Sequence, residues 1–198
     1  SENYSIAFAT SYPWLDGGFD WSPDSNAIAF AYQPRIGEND TLKTKIAILD
    51  LKKHVIKNLP YTENHTGGQP RYSFDGKSIA FKTNAPHSDF ATALHNNYQI
   101  AGRICVADTT TFATHCLANT FNQNPTILGW KQNNNEIFVI DSYKTTGQQI
   151  YVLSLDANTP AKLISQSNKG LIDVVSLNAH SDFLGFSYET TTQAVEPY

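Results

Sequence analysis

The 198 residues contain no methionine, not even at position 1. The chain is therefore expected to begin inside a longer product, after processing or excision. Its abrupt close, "SYETTTQAVEPY", is expected to be internal as well. Positive charge is also scarce, with 14 Lys and Arg against 18 Asp and Glu, a net charge of −4 and a pI near 5.8. A general nucleic-acid binder needs a basic face. Here the only short basic pair is Lys52-Lys53, so no nucleic-acid partner is expected. Long apolar runs are missing too. The most hydrophobic segment, "EIFVIDSY", is strand-sized and far short of the ~20 residues that span a bilayer. No membrane partner is expected.

Further absences narrow the chemistry. No segment holds a 3.6-residue apolar period over three turns, although "SDFATALHNN" has the makings of one helical turn inside a loop. None of the six His pairs with another at i+2 or i+4 to share a metal. His87, Asp89 and His95 fall in a polar run that reads as a plain loop in preference to a weak metal site. The run "DGGFD" precedes a strand and lacks the helix that a phosphate cradle requires. Metal and cofactor are both expected to be none. Three N-x-[ST] triplets, at Asn3, Asn39 and Asn64, occur at about the frequency chance provides.

What the chain does contain is a sentence written repeatedly. "FDWSPDSNAIAF" (Phe19 to Phe30) returns as "RYSFDGKSIAF" (Arg71 to Phe81), more worn as "GWKQNNNEIFVI", and again as "LNAHSDFLGF". Trp21, Tyr72, Trp130 and Leu177 hold the same place, at successive offsets of 51, 58 and 47. Each copy is followed by strand-like runs rich in Ile, Val, Tyr and Phe: "KTKIAILDL" and "KHVIKNLPY", "GRICVADTT" and "ATHCLANT", "QQIYVLSLD" and "AKLISQS". Clusters of Asn, Asp, Gly and Pro bound these runs, which is strand and hairpin grammar.

Four antiparallel strands per unit of ~45–50 residues describe the blade of a β-propeller. The second strand of each unit, "AIAF" or "SIAF", is apolar on both faces, as expected for a strand between neighbouring blades. The fold class expected is all-β, a β-propeller fragment of about three and a half four-stranded antiparallel blades. Blade 1 is expected over about 18–62, blade 2 over 68–120, blade 3 over 124–167 and part of a fourth over 170–198. The N-terminal "YSIAFAT" reads as a strand from elsewhere in the ring.

Asp24 and Asp75 recur at one turn position. A carboxylate copied from blade to blade reads as a turn residue that accepts backbone N–H groups, in preference to a ligand or catalytic acid. Pro23 presets φ and Gly76 relieves strain there. Cys105 and Cys116 are centred on Thr110-Thr111, and a two-residue turn there would set them directly opposite. Cross-strand Cβ atoms about 4.5–5.5 Å apart are within reach of a disulfide. The alternatives are two buried free thiols, or a register shifted by one that sends the thiols to opposite faces. The residues leave these open. A bonded pair would imply an oxidising compartment, which favours a periplasmic or secreted location over the cytoplasm. Tyr12, Trp14 and Tyr61 fall in expected loops, where packing under the loop competes with a blade-end binding surface.

The stretches "FDWSPDSNAIAFAYQPR", "IAILDL" and "QPRYSFDGKSIAFKTNAPHSDF" resemble the N-terminal propeller of prolyl oligopeptidase family serine peptidases, including dipeptidyl-peptidase-like and acylaminoacyl-peptidase-like enzymes. The long insertion after "IAFKT", the "LGW" opening of the third copy and the closing "FLGFSYETTTQAVEPY" add to the likeness, which runs from about Gly18 onward. The "SPDS…IAF" repeat is also that of TolB-like propellers. WD-repeat proteins fit poorly, because no Gly-His opening and no Trp-Asp strand end occurs.

The resemblance implies a Ser–Asp–His triad on an α/β-hydrolase domain, with the Ser at a G-x-S-x-G elbow. These residues contain no such elbow, so the catalytic residues expected in this chain are none. The role implied is gating and selecting peptide substrates for a catalytic domain outside it. Some relatives supply acidic groups to hold a substrate's amino terminus. Glu189 and Glu196, the carboxylates near the chain's end, are expected on solvated surface. The other reading is a TolB-like propeller that binds protein partners and has no enzyme attached. In either case, open edge strands are expected to pair with another copy or with the chain's own terminus.

Overall fold

The β-branched and aromatic runs form strands in the computed structural model. It describes residues 18–32, 44–63, 67–84, 102–117, 125–141, 148–165, 170–190 and 193–197. The first sheet is β1 (Phe19–Trp21), β2 (Ala27–Tyr32), β3 (Lys45–Asp50) and β4 (Val55–Asn58). The second is β5 (Gly68–Tyr72), β6 (Ser78–Asn84), β7 (Gly102–Asp108) and β8 (Thr114–Cys116). The third is β9 (Thr126–Trp130), β10 (Glu136–Asp141), β11 (Gln149–Ser154) and β12 (Lys162–Leu163). The fourth has three described strands, β13 (Gly170–Leu177), β14 (Leu184–Thr190) and β15 (Gln193–Pro197). Every pairing is antiparallel and between sequence neighbours. The only helical element among the described residues is a 3₁₀ turn, Pro60–Glu63.

Successive sheets meet through their first strands, β1 with β5, β5 with β9 and β9 with β13. That convergence is the arrangement of blades about an axis, and the described residues form part of a β-propeller. The short strands β4, β8 and β12 lie at the outer edge of their sheets.

Apolar second strands follow from this placement. In β10 five of six residues are buried, because a blade covers each face. The same repeat position packs backwards at the first two junctions. Tyr72 lies with Ala29 and Ile48 of the first sheet, and Trp130 with Ala80, Ile104 and Val106 of the second. A second seam joins Ile46 and Leu59 to Phe81, Cys105 and Ala107. Leu128 and Ile140 meet Ile172, Val175, Leu184 and Phe186 at the last junction. Gly67 closes the first-to-second crossover at a close approach. A Cβ there would stand 2.6 Å from Thr62 Cγ2 and 2.9 Å from Ile46 Cγ1.

The segment "YSIAFAT", Tyr12, Trp14, the His87–Asp89–His95 group, Asn3, Asn39, Asn64 and "SDFATALHNN" lie outside the described residues.

Candidate functional site

The repeated turn is built by hydrogen bonds that recur residue for residue. In the first blade the Ser22 N–H donates to the Ala27 carbonyl (2.9 Å), and the Ser25 N–H to the Ser22 carbonyl (2.9 Å). The second blade repeats this with Ser73, Ser78 and Gly76, the third with Lys131, Glu136 and Asn134, and the fourth with Asn178, Phe183 and Ser181. In all four the third loop residue has positive φ: Ser25 at 57°, Gly76 at 71°, Asn134 at 55° and Ser181 at 51°. Only one of the four is glycine, so three L-residues hold a conformation that disfavours a Cβ.

Asp24 and Asp75 sit inside these turns. Asp24 accepts from the Ser22 hydroxyl (2.6 Å), the Asn26 N–H (3.1 Å) and the Asn26 side-chain amide (2.6 Å). Asp75 accepts from the Ser73 hydroxyl (2.7 Å) and the Lys77 N–H (3.1 Å). The two serine hydroxyls in turn accept from the N–H of Ala27 and Ser78. The Ser22 hydroxyl and the Asn26 donors hold the Asp24 carboxyl down at about 2, and the Ser73 hydroxyl lowers Asp75 in the same way. A carboxylate this acidic and this fully engaged is a poor proton acceptor at neutral pH. In the third blade Asn133 holds that place, its Oδ1 accepting the Asn135 N–H (3.0 Å), and the nearby Glu136 is held below its usual range by Lys131 at 2.7 Å and by Asn133.

A second recurring aspartate was not singled out from the sequence. Asp50 Oδ1 accepts from the N–H of Lys52 and Lys53, and Asp108 Oδ1 from the N–H of Thr110 and Thr111. These bonds lower both carboxyls. The signal was there: an Asp closes the third strand in both "IAILD" and "ICVAD".

The first two blades leave a cleft of about 450 Å³ between their hairpin ends. Asp24, Asp50 and Asp75 supply negative charge to its walls, Lys52 and Lys53 positive charge, and Tyr72 and Thr109 hydroxyls. Asp20, behind Tyr72, accepts the Tyr72 N–H at 2.7 Å and stitches one blade to the next. Burial pushes the Asp20 carboxyl up, against the opposing pull of the Tyr72 N–H and Arg71. Burial, with the charges of Asp20 and Asp24 nearby, pushes the Tyr72 phenol up to about 12. Among the described residues no group of three His, Cys, Asp or Glu could hold a metal ion. The walls thus carry charge of both signs.

Cys105 and Cys116 face each other across β7 and β8 and are joined by a disulfide. The loop differs from the two-residue turn expected at Thr110-Thr111. It spans four residues, Thr109 to Phe112, because the Asp108 carboxylate organises them and Phe112 adopts φ 58°. The longer loop keeps the same centre, so the pairing is unchanged. The Leu117 N–H bonds to the Ile104 carbonyl, which makes Cys105 and Cys116 a non-hydrogen-bonded pair, the closer kind. Tyr61, in the 3₁₀ turn, packs edge-on against Phe81 at 5.8 Å, and its hydroxyl lies 3.2 Å from Cys116 Sγ. It packs, half-buried, against the apolar seam between the first two blades. Glu189 is exposed, and Glu196 pairs with Tyr188 at the described end of the last sheet.

No family model and no curated protein sequence matches the chain. Solved structures do. TolB from Acinetobacter baumannii matches with TM-score 0.62 at 15% identity, over 91% of this chain and 40% of that one. A prolyl endopeptidase matches with TM-score 0.59 at 13% identity, over 87% and 24%. An oligogalacturonate lyase in complex with manganese matches with TM-score 0.63 at 10% identity, over 90% and 47%. The chain thus spans less than half of each of these structures. At such identities the likeness is one of fold, and the fold it shares with TolB and the peptidases is the β-propeller.

Proposed function

We propose that this chain is the propeller region of a prolyl-oligopeptidase-like serine peptidase, gating and selecting peptide substrates for an α/β-hydrolase domain carried outside these residues. The observation that carries the reading is the repeated blade together with the "IAFAYQPR", "IAFKT" and "LGW" stretches that resemble that family. The fold likeness to a prolyl endopeptidase supports it. In this role the chain supplies walls and no nucleophile: the acidic turn carboxylates stay ionised and engaged in their own loops. The Cys105–Cys116 bond supports a periplasmic or secreted setting.

The second reading is a TolB-like scaffold that binds protein partners, supported by the match to TolB. The deciding experiment is to read the coding sequence beyond Tyr198. A G-x-S-x-G followed by Asp and then His supports the gating role. Further blades followed by a stop codon sink it and leave the scaffold. By itself the 198-residue chain is expected to hydrolyse no peptide.

A further inference from the structure

The two sulfurs of the Cys105–Cys116 bond stand in unlike surroundings. Cys105 lies on β7 and is fully buried in the seam of the first two blades, among Ile46 and Leu59 of one and Phe81 and Ala107 of the other. Cys116 is the last residue of β8, a three-residue strand at the outer edge of its sheet, and is only partly buried. β8 meets β7 at three register pairs, of which Cys105 with Cys116 is the last. Just beyond it the Leu117 N–H donates to the Ile104 carbonyl.

A thiolate opens a disulfide by attacking one sulfur in line with the bond, from the side opposite the sulfur that leaves. This bond runs outward from β7 to β8. Approach to Cys105 would come from the side of β6, where Phe81, its register partner, is itself fully buried. Approach to Cys116 comes from beyond β8, where no described strand of the sheet follows. The Tyr61 hydroxyl, 3.2 Å from Cys116 Sγ, ties this same sulfur to the 3₁₀ turn that precedes the second blade. The accessible sulfur is thus also the one through which the outer strand is fastened to the seam.

We propose that Cys116 is a thiol-exchange site that takes small thiols of the glutathione class as mixed disulfides, and that exchange there loosens the seam between the first two blades. In the first step the incoming thiolate bonds to Cys116 Sγ and the Cys105–Cys116 bond breaks. Its electron pair passes to Cys105 Sγ, which takes a proton from water. A second thiol then displaces Cys116 from the mixed disulfide, forming the small-molecule disulfide and leaving both cysteines as thiols. Two small thiols are oxidised and one protein disulfide is reduced. Thr109 begins the same hairpin loop, yet its N–H and hydroxyl are bonded to the Lys77 and Gly76 carbonyls. The loosening is therefore confined to the seam and leaves this wall of the cleft in place.

The test adds glutathione to the folded, oxidised protein, quenches with an alkylating reagent and locates the adduct by tandem mass spectrometry. Glutathione is expected on Cys116 in about tenfold excess or more over Cys105, and in urea that preference should vanish. Hydrogen exchange on the fully reduced protein should rise about tenfold or more at the Leu117 N–H and hold at the Thr109 N–H. With oxidised glutathione, Cys105→Ser should be modified at Cys116 about tenfold faster or more than Cys116→Ser is at Cys105. If either variant fails to fold, the wild-type adduct decides. Adducts shared equally between the cysteines of the folded protein overturn the proposal. So does a bond that glutathione opens only in urea, or Leu117 exchange that reduction leaves unchanged.

Discussion

The junction between the second and third blades and the junction between the first and second are made by one repeat, yet one closes over a buried tryptophan and the other borders a charged cleft. At the former, Trp130 is 2% exposed and its Nε1–H donates to the Arg71 carbonyl at 2.8 Å. There Gln69 accepts the Ile127 N–H and Asn134 accepts the Phe74 N–H, while one apolar cluster runs from Ala80 to Leu153. At the latter, the smaller Tyr72 stands in place of Trp130 and two separate clusters flank a cleft of about 450 Å³. A carboxylate, Asp20, does the stitching. The repeat sets where blades touch, while the size of the aromatic and the charge of its neighbours differ from one junction to the next.

The largest expected effect comes from breaking the tryptophan seam. Trp130→Ala should cost about 3–5 kcal/mol, because it empties a large buried site and strands the Arg71 carbonyl. Urea unfolding measures it. Replacing Cys105 and Cys116 with Ala together should cost roughly 2–3 kcal/mol, from loop closure over a separation of 11 residues. An unreduced mass lower by two hydrogens than the reduced mass would show the bond directly.

Gly76→Ala places a Cβ at φ 71° on the rim of the cleft and should cost about 1–2 kcal/mol. Ser25→Gly, at the same position one blade earlier, should gain a few tenths of a kcal/mol or nothing.

Acid sharpens the contrast between carboxylates. Asp24 titrates at about 2 in the fold, below the ~3.9 of an unfolded Asp. Its stabilisation is complete above about pH 4 and is lost as pH falls towards 2. Asp20 is raised, so its sign is opposite: it favours the fold most when protonated, and the benefit fades as pH rises through its unfolded and then its folded value. Asp24→Asn should flatten the acid limb of a stability–pH curve, and Asp20→Asn should steepen it. Trp21→Ala should have a similarly small effect, under about 0.5 kcal/mol, because half of the side chain is already in water.

Much of this was legible before any coordinates. The offsets of 51, 58 and 47 that align Trp21, Tyr72, Trp130 and Leu177 also align Ser25, Gly76, Asn134 and Ser181, the positive-φ residues of the four turns. The conformation itself was legible at Gly76 and in part at Asn134, a residue type that visits positive φ readily, while Ser25 and Ser181 carry no sign of it. The facing of Cys105 and Cys116 could be read because it depends only on the loop's centre; the loop's length could not, because Asp108 decides it from outside the turn. Asp20, Gln69 and Asn134 were illegible as blade-to-blade acceptors. Nothing in a periodicity says which backbone N–H of a neighbouring sheet an exposed-looking side chain will meet.

By itself the sequence determined the unit: an alternating, turn-punctuated run that can only form a short antiparallel meander, apolar on both faces of its second strand and so unable to stand without neighbours. Strand period, turn chemistry and hydrophobic patterning are local properties, carried by residues close together in the chain. The tertiary structure decided which copy of the unit buries its aromatic fully, which borders a charged cleft, and which aromatic is left half exposed. Those outcomes depend on side chains some fifty residues apart meeting across a junction, where the fit of Trp130 on Ala80 and the exposure of Trp21 are set by what stands opposite.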